Sequence, residues 1–169
     1  MASRAARFNA YLAVALVASV GCGCKSAKEK EASTLRFHLE TNPAPVERSV
    51  PVAVYRADPI FVNVESAPFL NEGHVKQASV VDALGAFQIM IQFNRKGSWL
   101  LEQYTTANKG KRIAIFSQFG QARWLAAPVI VNRIGDGLFV FTPDATREES
   151  ERIVNGINNV AKVMQKDNP

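Results

Sequence analysis

Residues 78–116 read ASVVDALGAFQIMIQFNRKGSWLLEQYTTANKGKRIAIF, and this stretch decides the fold. In segment 87–93, Phe87, Ile89, Ile91 and Phe93 fall on one side of an extended chain. Gln88 and Gln92 fall on the other, the period-two pattern of a half-buried strand. Met90 interrupts the alternation, so the second face is partly covered too. Segment 78–84 reads as its antiparallel partner, with Gly85 in the turn. Segment 94–97 breaks the pattern, and the spacing then predicts a helix over 98–107. There Leu100 with Tyr104, and Leu101 with Thr105, sit four residues apart. Asn108-Lys109-Gly110 is a helix stop, with Gly110 suited to a left-handed cap. Segment 112–116 is a strong strand.

Toward the C-terminus, 117–124 reads as a glycine-containing loop, followed by extended pieces at 124–125 and 129–134. Gly135-Asp136-Gly137 is a tight turn before a returning strand over 138–142. Thr146-Arg147-Glu148-Glu149 has the form of a capping box, the hydroxyl accepting from the Glu149 amide and the carboxylate reaching back. A helix over 147–165 follows, with Ile153, Ile157, Val160 and Met164 as its apolar stripe. Gly156 weakens that helix locally but permits close packing.

Toward the N-terminus, 34–40 alternates, placing Leu35, Phe37 and Leu39 inward and His38 on the polar side. Segments 49–55 and 60–65 are extended, and Pro51 and Pro59 suit edge strands. Segment 72–77 is a helical turn capped by Asn71. The order of elements is that of an α+β domain over 34–165. Two helices pack on one face of a mainly antiparallel sheet, preceded by extra N-terminal strands.

Residues 1–21 read as an address. Arg4 and Arg7 precede an apolar run over 11–18, which is shorter than the roughly 20 residues a membrane span needs. Small residues then lead to Cys22. Ser19-Val20-Gly21-Cys22 resembles the lipobox of bacterial lipoproteins, in which the cysteine is acylated and the signal is cut before it. Ser19 departs from the leucine usual in that position. Cys24 is the alternative acceptor, with a poorer lead-in. A disulfide or metal pair of Cys22 and Cys24 is disfavoured, because one intervening residue gives poor geometry and the chain has no other cysteine. Segment 22–33, with its run KSAKEKEA, is a solvated tether.

Composition narrows the function classes. The 169 residues are 47% hydrophobic and 21% charged, an ordinary globular balance. The net charge is +5, and loss of residues 1–21 leaves 18 basic against 15 acidic residues, or +3. That is too small an excess to suggest nucleic-acid binding. His38 and His74 are the only histidines, 36 positions apart, so no metal site is expected. Gly110-Lys111-Arg112 ends a helix and opens a strand, the reverse of a phosphate loop. No Gly-x-Ser-x-Gly nucleophile motif occurs. The expectation is a protein with no enzymatic activity and no cofactor.

The segment 87–158 resembles the head subdomain of the first periplasmic domain of the translocase subunit SecD. Thr105, Asn108, Gly110 and Lys111 match that family's Thr-x-x-Asn-x-Gly-Lys helix end, and the strand 112–116 follows. Ala127-Pro128-Val129-Ile130 matches its small-Pro-apolar-Ile turn, and Ile134-Gly135-Asp136-Gly137 its Ile-x-x-Gly hairpin. Thr146, Glu148 and Glu149 match its Thr-x-Glu-Glu helix start. The head-like core covers about 78–165, with 60–82 a looser lead-in. Ser117-Gln118-Phe119-Gly120 stands where the family commonly has an Asp-Gly turn. SecD proteins carry transmembrane helices, and no such run follows residue 21. The resemblance implies a stand-alone head-like module on a lipid anchor, with a link to export by analogy of fold.

Two places suit binding. Phe119, Arg123 and Trp124 sit together near Gly120, and aromatics beside an arginine are common at recognition sites. The alternative is that Phe119 and Trp124 fold back into the core. Strand 60–64, or another open sheet edge, suits an extended peptide, unless it is an ordinary paired strand. The leading expectation is a lipid-anchored, protein- or peptide-binding module of the cell envelope, held by acyl chains on Cys22. A lipid or small-ligand carrier and an accessory to protein export are the alternatives. The expected location is the cell membrane or the outer membrane, with the domain facing the periplasm or exterior. The resemblance to lipoproteins implies the outer membrane, because Gly23 stands in place of the inner-membrane retention Asp.

Overall fold

In the computed structural model, residues 31–43 and 48–166 are described. The expected signal segment and the Cys22 and Cys24 pair lie outside the described residues. The elements run β1 (Thr34–Leu39), β2 (Ser49–Val54), β3 (Ile60–Glu65), a 3-10 turn (Glu72–His74), β4 (Val75–Ala83) and β5 (Ala86–Phe93). They continue with α1 (Arg95–Ala107), β6 (Ile113–Phe119), β7 (Gln121–Ala126), β8 (Leu138–Phe141) and α2 (Arg147–Lys166). This is the α+β class read from the sequence. The antiparallel strands divide among three small sheets, β1-β6-β7, β2-β3 and β4-β5-β8.

The sheet β1-β6-β7 is buried on both faces. Leu35, Phe37 and Leu39 of β1 and Ile113 and Ile115 of β6 join one core with Ile89, Ile91 and Phe93 of β5 and with Ile153 and Ile157 of α2. Phe37 sits at its centre, its ring edge-on to Phe93 at 5.4 Å and to Phe139 at 5.6 Å. The opposite face carries Ala114 and Trp124 against Val52, Val54, Val62 and Val64 of the β2-β3 hairpin.

His38 belongs to this second face, which corrects its reading as a polar-side residue. It pairs in register with Ala114 and is 8% exposed, because the hairpin covers a surface that alternation alone leaves to solvent. Its Nδ1 lies 2.8 Å from the Glu65 carbonyl, to which a neutral ring donates. Burial pushes the imidazole below its usual 6.5, the Glu65 bond opposes this, and Arg36 adds to the lowering. His74 is also lowered, mainly by burial and then by Lys96.

Local signals explain the helix ends. Asn94 caps α1 by accepting from the Gly97 amide at 2.9 Å, so the helix starts three residues before the apolar spacing suggests. Half of the expected capping box forms on α2: Thr146 Oγ1 accepts from the Glu149 amide at 3.2 Å. The Glu149 carboxylate turns to Arg123 instead. The apolar stripe of α2 is also corrected. Ile153 and Ile157 are buried, but the buried set continues through Ala161, while Val160 is half-buried and Met164 exposed.

Helix α2 lies along the outer edge of β4. The Asn158 side chain accepts from the Ala78 amide at 2.8 Å and donates to the Ala78 carbonyl at 2.9 Å. At Ala78 it takes the place of a neighbouring strand and covers that part of the edge. Gly156 admits the N-terminal segment: a Cβ there would lie 2.8 Å from both the Cβ and the amide nitrogen of Ser33. Asn159 donates to the Glu31 carbonyl at 3.0 Å, and Arg152 pairs with the Glu31 carboxylate at 2.9 Å. Residues 31–33 of the expected tether are therefore docked on α2.

Replacing Asn158 with Ala leaves both Ala78 groups unpaired at a half-covered edge. A loss of about 1–3 kcal/mol is expected by urea unfolding, with Asn158→Asp, which keeps only the acceptor, in between. The histidines give a second expectation. Folded His38 and His74 resist protonation, whereas the unfolded chain takes up protons near pH 6.5. Their contribution is complete above that pH and is lost as pH falls below it. The unfolding midpoint should drop between about pH 7 and about pH 5.5, and His38→Gln should flatten the slope.

Candidate functional site

The three residues expected to form a recognition loop lie on a regular hairpin. β6 and β7 meet at Gly120, whose φ of 68° makes the turn. Strand pairing over Gln121–Ala126 replaces the expected loop, because one left-handed glycine suffices to reverse the chain. Phe119 ends β6, while Arg123 and Trp124 are neighbours on β7 and point to opposite faces. Phe119 packs on the main core, and Trp124 packs on the second cluster behind the sheet. The Trp124 ring lies edge-on to His38 at 5.1 Å and to Phe116 at 5.3 Å. The Arg152 guanidinium covers Phe119, 4.9 Å from the ring centroid.

Arg123 works as a clamp. Its guanidinium donates to the Asp144 carbonyl and pairs with the Glu149 carboxylate, tying β7 to the start of α2. Arg56, after β2, reaches the same place. Its amide donates to the Asp144 carboxylate at 2.9 Å and its Nε at 3.2 Å. Asp144 in turn donates its amide to the Leu125 carbonyl at 2.7 Å. The four charged groups hold the β2-β3 hairpin, β7 and α2 together, and the Arg123 side chain is only 16% exposed.

Open sheet edges are the other candidates. The edge of β1 is taken by the 69–70 segment: Phe37 donates to Leu70 at 2.9 Å, and Phe69 donates to Phe37 at 3.0 Å. Thr41 donates to Asn63 of β3 at 2.8 Å, and Glu40 bridges Val64. The 60–64 strand is thus paired with β2 along one side and partly covered along the other. The edge of β4 is covered at Ala78 by Asn158 and at the Val75 and Lys76 carbonyls by Gln165.

The edge of β8 differs. Phe93 donates to the Gly137 carbonyl at 2.9 Å, which makes Ile91 with Phe139, and Ile89 with Phe141, the hydrogen-bonded pairs. The backbone groups of Leu138 and Val140 therefore point away from β5. The Asp136 side chain accepts from the Leu138 amide at 3.0 Å. Among the described residues, nothing pairs with the amide or carbonyl of Val140.

An apolar groove of about 230 Å³ runs beside this edge, lined by Pro128, Val129, Val131, Ile134 and Val140 among others. Val131 is 72% exposed and Val140 44%. The 129–134 segment, expected to be extended, is held apart from β8. It is tied instead to the start of β6, where Ile113 donates to Pro128 at 3.0 Å and Ile130 to Lys111 at 2.8 Å. The sequence gives no sign of this edge, because which strands neighbour one another is decided by the whole fold.

No cluster of three or more potential metal ligands occurs among the described residues. No helix among them is long and apolar enough to cross a membrane. A second concavity of about 610 Å³ is an open flank of α1 beside Trp99 and Tyr104, with all its lining residues drawn from that one helix.

Known proteins give a consistent answer. Residues 50–160 match the family described as SecDF, P1 head subdomain. The match reaches back to β2, well before the core over 78–165. No curated protein matches the chain. Among solved structures, SecDF, described as a membrane component that enhances protein export, aligns at 21% identity and a TM-score of 0.54. The alignment covers 76% of this chain and 63% of that one. SecDF in its super-membrane-facing form aligns at 20% identity and a TM-score of 0.54, covering 76% of this chain and 19% of that one. The chain thus spans less than two thirds of either relative, and at these identities the likeness is one of fold. On the match over residues 50–160, the chain belongs to the SecDF P1 head subdomain family.

Proposed function

We propose that this chain is a lipid-anchored, non-enzymatic module of the bacterial cell envelope that captures extended protein segments along the open edge of β8. The observation that carries this reading is the outward-facing amide and carbonyl of Val140 beside the apolar groove. An extended chain added there continues the β4-β5-β8 sheet by backbone hydrogen bonds. Its alternate side chains fall against Val129, Val131 and Ile134. Backbone pairing gives affinity with little dependence on sequence, which suits polypeptides that are still unfolded. The SecDF structure is described as a component that enhances protein export. Family membership supports an accessory role of the same kind, with periplasmic protein segments as the partner.

The anchor rests on Ser19-Val20-Gly21-Cys22. Acylation of Cys22 would hold a domain whose described helices include no membrane span. Two or three acyl chains bind a bilayer stably where one binds only marginally.

Two measurements test the reading. Intact mass of the protein taken from membranes should show a diacyl or triacyl addition that is lost in Cys22→Ala, and an unmodified soluble protein would remove the anchor. Titration with extended apolar peptides should shift amide resonances of β8. Val140→Pro, which removes the free donor, should weaken binding about five- to tenfold, the worth of one hydrogen bond. Val131→Glu, at an exposed position that leaves the fold intact, should weaken it as well. Phe61→Ala, on the distant β3, should have no effect. Unchanged affinity in both groove variants would exclude the β8 edge.

A further inference from the structure

The last two turns of α2 carry an exposed surface that neither the core nor the β8 groove uses. Val163 is 61% exposed and Met164 43%, and half-buried Val160 continues the patch. These three residues, with Ala32 and Asn159, line a cleft of about 240 Å³. Lys162 and Lys166 are exposed and flank the patch, together with Val163 and Asn159. Neither lysine has an ion-pair partner among the described residues. Lys76 is exposed on β4, where its carbonyl accepts from Gln165 at 3.3 Å. An apolar strip edged by unpaired cations on one helix is the pattern of a surface that lies at a lipid interface.

The path of the chain says what covers this surface. The N-terminal segment joins the domain on α2, with Glu31 held by Arg152 and Asn159, and Ser33 against Gly156. Ala32 itself forms one wall of the apolar cleft. Eight residues lie between Cys22 and Glu31, so the two are at most about 30 Å apart. That stretch adds Lys25, Lys28 and Lys30 against Glu29. An anchor at Cys22 therefore holds the bilayer within that distance of a docking point that lies beside Val163 and Met164.

We infer that the C-terminal half of α2 is a membrane-apposed face, seated on an anionic phospholipid surface through Val160, Val163 and Met164 with Lys162 and Lys166 among the headgroups. This rests on the proposed anchor, and it adds an orientation to it. The surface charge of such lipids attracts basic residues within about a Debye length, so the short tether and the lysines act together.

The test uses the full chain with Cys24→Ser, isolated from membranes and reconstituted in vesicles of phosphatidylethanolamine and phosphatidylglycerol. Val163→Trp adds a fluorescent reporter on α2, and Phe61→Trp adds one on the remote β3. With brominated acyl chains in the vesicles, the emission contributed by Val163→Trp should fall at least about twofold. That contributed by Phe61→Trp should stay unchanged. Charge reversal by Lys162→Glu with Lys166→Glu should abolish the quenching at position 163. Equal quenching at both positions, or none at 163, overturns the proposal. So does a crosslinked dimer through position 163 that forms without vesicles, because a second copy would then be the occupant. Intact mass of the same preparation reads the anchor separately. If Cys22 carries no acyl group, its thiol is coupled to a maleimide lipid and the two reporters still decide the face.

Discussion

The fold depends on a sheet that must be apolar on both sides. β1 and β6 present Leu35, Phe37, Leu39, Ile113 and Ile115 to the main core and His38 and Ala114 to the second. Neither core has enough material without the other layer, since the β2-β3 hairpin offers only one valine-rich face. The space behind β6 is small, so Ala114 fits directly opposite a flat imidazole. Burial disfavours the charged form of His38, and in the neutral ring the Glu65 carbonyl selects the tautomer that donates from Nδ1. The charged clamp of Arg56, Arg123, Asp144 and Glu149 then fastens the hairpin from outside. Its value lies more in placing three elements than in net stability, because partly exposed ion pairs contribute little.

Small sheets expose many edges, and each exposed edge invites unwanted pairing. This chain closes them by different means. A loop segment pairs with β1, the chain after β1 pairs with β3, and one asparagine side chain imitates a strand against β4. The edge of β8 combines outward backbone groups at Val140 with an apolar groove beside them. Its short length limits self-association.

Much of the fold was legible because local patterns agreed with the final packing. The alternation of Phe87, Ile89, Ile91 and Phe93 survives intact, since β5 is the middle strand of its sheet. Asn71 and Asn94 both act as caps, though only the first was read as one. The misses share a cause. His38 looked polar-facing because period two cannot tell that a second layer covers the outer face. Phe119, Arg123 and Trp124 looked like a cluster because adjacency along a loop differs from adjacency on a strand, where neighbours point apart. Val160 and Met164 looked like core because helical spacing identifies a face without saying where the core beneath it ends. The open edge of β8 and the plug at Asn158 had no local signal, since both arise from pairings between distant segments.

The two proposed surfaces are related by the sheet that joins them. In the order β4-β5-β8, helix α2 lies along the first strand and the open edge belongs to the last. Two strand spacings, about 10 Å, separate them across the sheet. A face of α2 seated on lipid therefore places the Val140 edge on the other side of the sheet, where a polypeptide in the periplasm can reach it without competing with headgroups. Asn158 and Gln165 fix α2 beside β4 together with the core packing of Ile153, Val154 and Ile157, so the packing of this helix keeps the two proposed surfaces apart. A domain tethered elsewhere, on the β8 side for instance, would bring its open edge against the membrane and lose access to it. On the proposed anchor, the docking of residues 31–33 into the notch at Gly156 would turn a lipid attachment into an orientation.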